Sequence, residues 1–412
     1  MLEYTKFRLA NGLRVIHHFD PQTPLAVVNI LYNVGARDED PDYTGMAHLF
    51  EHLMFSGSAH AESYDEPLQK ASGENNAFTS NDITNYYVTL PAENIETALW
   101  LESDRMFQLN LNENSMKVQQ SVVIEEFKQR YLNQPYGDLW ALIRELAYKE
   151  HPYQWATIGK EIGHIEKVDL EVLRSFYQRF YNPSNAILVM AGNIPEFQCK
   201  ALAEKWFLDI PSGEANLNNY TVEPKQTELR RLTVEREVPM DCLTLAFHGP
   251  RRTASDFYAC DLLMDVLGGS PSSRLYQSLI KELEIFADIG AYTTESIDEG
   301  LLLISGRILP GKTLEEAEEA VMKIVNEVLE NGIQKSEWEK VCNKKRTVLN
   351  YQELEVLNKA MNLAMFENLG DADLVNSEEA KFLATSTESL HAAAKDYLQM
   401  SNCSILYYVA KK

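Results

Sequence analysis

Residues 45–55 read GMAHLFEHLMF, a largely apolar segment with helical spacing. His48 and His52 stand four residues apart, so on a helix their imidazoles project from one face, one turn apart. This is the spacing with which two histidines bind one zinc ion. Glu51 lies beside them, and a glutamate next to the ion but not bound to it suits the role of general base. From these residues alone, two histidines that cap or pack an amphipathic helix remain an alternative.

A catalytic zinc ion also needs a third protein ligand and an open position for water. Residues 122–127 read VVIEEF, within a predicted helix whose apolar face includes Val122 and Val123. At about 100° per residue, Glu126 falls between these two valines, whereas Glu125 falls nearer the edge of the apolar face. Glu126 is therefore the better candidate for the third ligand. Without the histidines, two adjacent glutamates on a helix would indicate a solvated face.

Composition excludes several classes of protein. The chain has 412 residues, with 61 acidic against 38 basic side chains and a formal net charge of −23. We expect no nucleic-acid partner, because such affinity comes mainly from Lys and Arg. The five scattered cysteines form no CxxC pair, and no apolar run approaches the length of a bilayer span. We therefore expect no membrane partner and a reducing, cytoplasmic location.

The chain is predicted to form two α/β domains, over 1–210 and 223–412, joined by a polar linker over 211–222. In the first domain, strand-like runs alternate with helical patterns. The helices are expected at about 44–56, 92–108, 115–132, 137–149 and 168–180.

The second half of the chain repeats the order of elements of the first half, with a strand predicted over 243–248 and then a helix that ends near Ser270. This register places Cys260 opposite His48, and Leu263 and Met264 opposite Glu51 and His52. A second copy of the domain would then lack the metal ligands. A chance likeness between two α/β domains is the alternative.

Together these motifs resemble the pitrilysin/insulysin family of zinc metallopeptidases, which includes the mitochondrial processing peptidase subunits. The order HxxEH is the inverse of the commoner HExxH, and Glu126 follows His52 by 74 residues. Further runs similar to that family are NGLRV at 11–15, VGARDE at 34–39, NNAFT at 75–79, HPY at 151–153, YNPSN at 181–185 and GGSPSSRL at 268–275.

The resemblance implies an α+β fold of two similar α/β-sandwich domains, related by approximate internal duplication, with the zinc site in the first only. It implies one zinc ion per chain, held by His48, His52 and Glu126. It also implies an endopeptidase that cleaves unfolded oligopeptides, with Glu51 as the general base.

Substrate contacts are expected at Asn76, Ala77 and Phe78, which match a family segment on an edge strand to which an extended peptide can add. From the residues alone, a turn followed by an ordinary strand with Phe78 in the core is an equal alternative.

The chain departs from the family pattern in two places. Gln119 stands where members usually carry an acidic residue that supports the metal site, so Gln119 and Glu125 become candidates for that supporting role. Many active members also have an Arg followed seven residues later by a Tyr in the second domain, and residues 279–288, LIKELEIFAD, contain neither.

Chains of this size in the family usually pair. We therefore expect a homodimer, or a heterodimer with a related chain that carries the Arg/Tyr pair. Two alternatives to an enzyme complete by itself stay open. One is a zinc-bearing subunit that is inactive alone, and the other is a non-catalytic assembly subunit.

Overall fold

The computed structural model describes residues 1–217 and 219–411. Asn218, within the predicted linker 211–222, and Lys412, at the end of the predicted second domain, lie outside the described residues. The strands are β1 (Thr5–Arg8), β2 (Arg14–Phe19), β3 (Leu25–Tyr32), β4 (Glu74–Thr79), β5 (Thr84–Pro91), β6 (Ala186–Gly192), β7 (Arg230–Arg236), β8 (Cys242–His248), β9 (Phe286–Thr293), β10 (Leu301–Ile308) and β11 (Cys403–Ala410).

The helices are interspersed with these strands. They are α1 (Met46–Leu53), α2 (Asp65–Lys70), α3 (Ile95–Phe107), α4 (Glu113–Phe127), α5 (Leu139–Ala147), α6 (Ile162–Glu166), α7 (Leu170–Phe180), α8 (Glu196–Phe207), α9 (Phe257–Gly268), α10 (Leu314–Asn331), α11 (Lys335–Gln352), α12 (Val356–Asn368), α13 (Leu374–Leu383) and α14 (Thr387–Tyr397). The helices α3–α7 and α10–α14 each follow one another with no strand between them.

Two mixed sheets have the same topology. The first has the strand order β1-β2-β6-β3-β5-β4, and the second has the order β7-β11-β8-β10-β9. The pair β2/β6 is parallel, as is its counterpart β7/β11, and every other neighbouring pair is antiparallel. Apart from the extra edge strand β1, the second sheet repeats the first strand by strand. This repetition confirms the predicted α+β fold of two similar domains.

The chain forms two compact units, and each unit is discontinuous in sequence. The first contains Met1–Phe127, Trp155–Tyr220 and Asn350–Ser377; the second contains Lys128–Gln154, Thr221–Leu349 and Glu378–Lys412. The predicted domains are each continuous in sequence. In the structure, the segment 128–154 belongs to the second compact unit and the segment 350–377 belongs to the first. One change of unit, between Tyr220 and Thr221, falls within the predicted linker 211–222.

In the first unit, alternate residues of β3 point to opposite faces of the sheet, and both faces are covered. Val28 and Ile30 lie in a core built with α1, α3, α7 and α8. Val27 and Leu31 lie in a second core, built with α12. Since both faces are buried, β3 is apolar along almost its whole length.

The second unit is built in the same way. Leu243, Leu245 and Phe247 of β8 lie in a core with α9, α10 and α14. Cys242 and Ala246, on the other face, lie in a core with residues of α5. Each sheet is therefore covered on one face by a helix from a segment distant in the sequence.

The predicted helix 115–132 is α-helical only to Phe127 and continues as a π-helical turn over Lys128–Leu132. The change occurs where the chain passes from the first unit to the second. Among the described residues, no helix combines the length and the apolar character needed to cross a bilayer.

Candidate metal centre

Helices α1 and α4 pack side by side in the first unit and carry the predicted ligands. Leu49, Phe50 and Leu53 of α1 are fully buried in the core, which leaves the opposite face for His48, Glu51 and His52. These three side chains occupy successive turns of that face because residues three and four apart are neighbours on a helix.

Helix α4 turns Glu126 toward its buried side, but the predicted apolar face is wrong in part, because Val122 is 44% exposed. Val123 is fully buried in the core that contains residues of α1, and Phe127 is also buried. Glu126 is half-buried and Glu125 is exposed. Glu126 therefore faces α1, whereas Glu125 faces away from the buried side of the helix.

The three candidate ligands converge on one point. His48 Nε2 is 3.5 Å and His52 Nε2 is 3.4 Å from the same oxygen, Glu126 Oε2. The two imidazole rings meet at 87°, with centroids 4.9 Å apart. One ligand atom from each residue lies within 4.8 Å of the others, and among the described residues no second group of three such side chains is found.

These distances fit a shared zinc ion. Bonds of about 2.0–2.1 Å in a tetrahedral shell place two ligand atoms about 3.3 Å apart. The measured separations are close to this value and longer than the roughly 2.7–2.9 Å of a direct charge-assisted hydrogen bond. Two imidazoles and one carboxylate are also a common donor set of catalytic zinc sites, which keep a fourth position open.

Glu51 lies between the two histidines on α1 and is held from a neighbouring element. The hydroxyl of Thr79, the last residue of β4, donates a hydrogen bond of 2.6 Å to Glu51 Oε2. Thr79 is not among the site residues predicted from the sequence. The one feature of the sequence that could have indicated a role for Thr79 is its position directly after the predicted substrate segment Asn76-Ala77-Phe78.

The predicted substrate segment lies on β4, at the end of the first sheet. It is an edge strand: among the described strands, its only neighbour is β5. Asn76 and Phe78 are exposed, with Phe78 at 36%, and Ala77 packs inward against the core. Phe78 is therefore not a core residue. The Ala77 N–H donates to Asn76 Oδ1 over 2.8 Å.

Gln119 lies on α4, two turns before Glu126, and its Nε2 is 3.3 Å from the hydroxyl oxygen of Ser56, just after α1. It thus joins α4 to the chain that leaves α1. Glu125, the other candidate for a supporting role, is not a member of the ligand group.

In the second unit, α9 follows β8 as α1 follows β3, and its Cys260, Leu263 and Met264 are fully buried.

Two family models match the chain in succession. Residues 14–159 match the model described as insulinase (peptidase family M16). Residues 167–345 match the model described as the peptidase M16 inactive domain. The first match contains every predicted metal-centre residue.

Similar sequences and folds occur in bacterial proteins. The zinc protease PqqE of Helicobacter pylori is 29% identical over 339 residues, which cover 81% of this chain and 76% of that protein. The uncharacterized zinc protease YmxG of Bacillus subtilis is 28% identical over 336 residues, covering 81% and 80%. The crystal structure of a protease from Helicobacter pylori superposes with a TM-score of 0.94 at 25% identity, covering 99% of this chain and 100% of that one.

Two more distant structures share the fold. The structure of a peptidase M16 inactive domain from Pseudomonas fluorescens gives a TM-score of 0.89 at 17% identity, over 100% of this chain and 99% of that one. The first half of the periplasmic protease PqqL from Escherichia coli gives 0.81 at 17% identity, over 99% and 92%.

Proposed function

The chain belongs to the M16 family of peptidases, and from this premise we propose that it is a zinc-dependent endopeptidase that cleaves unfolded oligopeptides. The observation that carries the proposal is the convergence of His48, His52 and Glu126, with Glu51 on the same face of α1. Three protein ligands with an adjacent glutamate suit an open, catalytic site.

The residues divide the chemistry between them. His48, His52 and Glu126 hold one zinc ion, which when bound supplies Lewis acidity to activate a water molecule and polarise the scissile carbonyl. Glu51 accepts a proton from the attacking water and later delivers it to the nitrogen of the leaving amine. Thr79 holds the Glu51 carboxylate in one orientation during both transfers.

Peptide binding is assigned to the free edge of β4. An extended peptide that adds there as a further strand would lie along Asn76, Ala77 and Phe78. Because Thr79 ends the same strand and bonds to Glu51, a peptide on this edge passes close to the general base. Gln119 supports the arrangement by its contact with Ser56 at the end of α1.

A second candidate function is favoured by one observation. Residues 279–288 contain neither Arg nor Tyr, so this chain does not itself supply the pair that many family members use in the second domain. It would then be the zinc-bearing half of a two-chain peptidase, inactive alone. A cytoplasmic location and pairing with a second chain are parts of the proposal.

The experiment compares the purified chain with its Glu51→Gln variant. We expect the wild type to contain zinc and to cleave a quenched peptide library, and a chelator to abolish cleavage until zinc is restored. Glu51→Gln should keep its zinc while kcat falls by about 10²–10⁴-fold, the usual contribution of general base catalysis. Glu66→Gln, at an exposed glutamate of α2, is the matched control and should cleave normally.

Three outcomes separate the candidates. Undiminished turnover by Glu51→Gln would refute the general-base assignment. Zinc without cleavage, until a related chain carrying the Arg/Tyr pair is added, would support the two-chain peptidase. A wild type that binds no zinc would refute both candidates.

A further inference from the structure

The first turn of α1 carries a metal ligand although it has no local cap. The helix has only eight residues, and His48 is the third of them. The first N–H groups of a helix lack partners within the helix, so first turns fray unless a side chain satisfies them. The N-cap residue is Gly45, which has no side chain to accept these hydrogen bonds.

Gly45 is required at this position for a separate reason. Its φ is +92°, in the left-handed region that favours glycine. A Cβ there would lie 2.7 Å from Cδ1 of Ile165 and 2.8 Å from the carbonyl oxygen of Ile158. A capping side chain therefore cannot come from the N-cap residue and must come from another part of the chain.

Glu39 supplies the missing partner. Its Oε2 accepts a hydrogen bond of 2.8 Å from the N–H of Gly45, and its Oε1 accepts one of 2.9 Å from the N–H of Ala47. Both carboxylate oxygens are therefore used on the residues that flank the start of α1.

Glu39 directly follows a turn that is closed by hydrogen bonds. This is a 3₁₀ turn over Ala36–Asp38, in which the Gly35 N–H donates to Asp38 Oδ2 over 2.8 Å. The Trp155 indole N–H donates to the Ala36 carbonyl over 2.9 Å. The turn that precedes Glu39 is thus fixed within the first unit by these two hydrogen bonds.

Burial of this carboxyl is costly. Glu39 is only 5% exposed, and desolvation raises its pKa well above the usual value although the two amide bonds oppose the rise. A buried carboxyl of this kind is tolerated when its hydrogen bonds are satisfied, as they are here.

We propose that Glu39 is a positioning residue of the metal centre, which holds the first turn of α1 and thereby fixes where His48 presents its imidazole. The inference rests on the proposed function in taking the ion to be zinc. Groups that hydrogen-bond metal ligands directly typically change metal affinity by about 10–100-fold when they are removed, and we expect an effect of that order for Glu39, which holds the helix turn that carries His48.

A merely structural role would lower stability without a specific effect on zinc, so the test needs a matched buried carboxylate. Glu223 in the second unit is 6% exposed and accepts hydrogen bonds of 2.9 Å from the N–H groups of Lys149, Glu150 and His151. Glu223→Gln therefore makes the same chemical change, at the same burial, far in sequence from any predicted ligand.

The experiment measures zinc affinity by competition with a chromophoric chelator, and thermal unfolding of the metal-free proteins. We expect Glu39→Gln to weaken zinc binding by about 10–100-fold and Glu223→Gln to leave it within about twofold of the wild type. Hydrogen exchange in the metal-free protein should quicken at the amides of Gly45 and Ala47 in Glu39→Gln only.

Zinc affinity in Glu39→Gln equal to that in Glu223→Gln, with a wild type that binds zinc, would overturn this inference and leave the proposed function standing. A wild type that binds no zinc would overturn both. If Glu39→Gln does not fold, Glu39→Asp keeps the carboxyl group but is too short to reach both amides, and it should weaken zinc binding in the same way.

Discussion

Glu51 has to present its carboxylate toward the ligand group in one orientation, and the Thr79 hydroxyl supplies the constraint over 2.6 Å. A hydrogen bond to a charged group contributes about 1.5–3 kcal/mol. Without it, the half-buried side chain of Glu51 could adopt other rotamers and the proton transfers would lose their alignment. Thr79 therefore acts on the reaction through Glu51.

We expect Thr79→Val, which keeps the shape but removes the hydroxyl, to lower kcat by roughly 10–100-fold, at about 1.4 kcal/mol for each factor of ten. Thr79→Ser retains the donor and should stay within a few-fold of the wild type. Steady-state kinetics with zinc content measured in parallel would check this. A Thr79→Val enzyme with wild-type kcat would show that Glu51 needs no such support.

The sequence predicts some of these residues and not others, for a physical reason. His48 and His52 share one face of α1 because of their helical spacing, which can be read from local periodicity. Periodicity also favours Glu126 over Glu125 on α4, although it wrongly places Val122, which is 44% exposed, on the buried face. Glu39 and Thr79 reach the site through the conformations of a turn and of a strand end. Their partners are set by tertiary packing, which periodicity does not encode.

At the scale of elements, the sequence predicts the helix over 137–149, which contains α5, but not which sheet it covers, and α12 is not among the predicted helices. An amphipathic pattern shows that a helix buries one face, and leaves its partner undetermined. Leu363 and Ala364 of α12 lie against Val27 and Leu31 of β3, more than 300 residues earlier in the chain. The repeated pattern of the two halves predicts that the two sheets share a topology, but it does not predict the order of their strands.

Helix α12 provides a stability test of this arrangement. Leu363 is fully buried against the first sheet, so Leu363→Ala should destabilise the first unit by about 2–5 kcal/mol through lost burial and the cavity left behind. Met365, two residues later on α12, is 44% exposed, and Met365→Ala should change stability by less than about 0.5 kcal/mol. Denaturant unfolding of both variants measures the difference. Equal effects would mean that α12 does not pack on this sheet in solution.

At the scale of the whole molecule, the charge balance bears on which peptides arrive. Even if every one of the 38 basic side chains were paired, the net charge of −23 would remain uncompensated. A field of that sign raises the local concentration of cationic ligands and speeds their association. The same charge balance that disfavours a nucleic-acid partner therefore predicts a preference for cationic peptide substrates.

We expect kcat/KM for a Lys/Arg-rich peptide to fall by about tenfold as ionic strength rises from about 0.01 to 0.15 M, because the Debye length shrinks from about 30 to about 8 Å. A length-matched Asp/Glu-rich peptide should respond in the opposite direction, since salt screens its repulsion. Initial rates at several salt concentrations, with zinc content measured at each, would check this. If both peptides lost activity equally, the salt would be acting on the enzyme, and the net charge would not select the substrate.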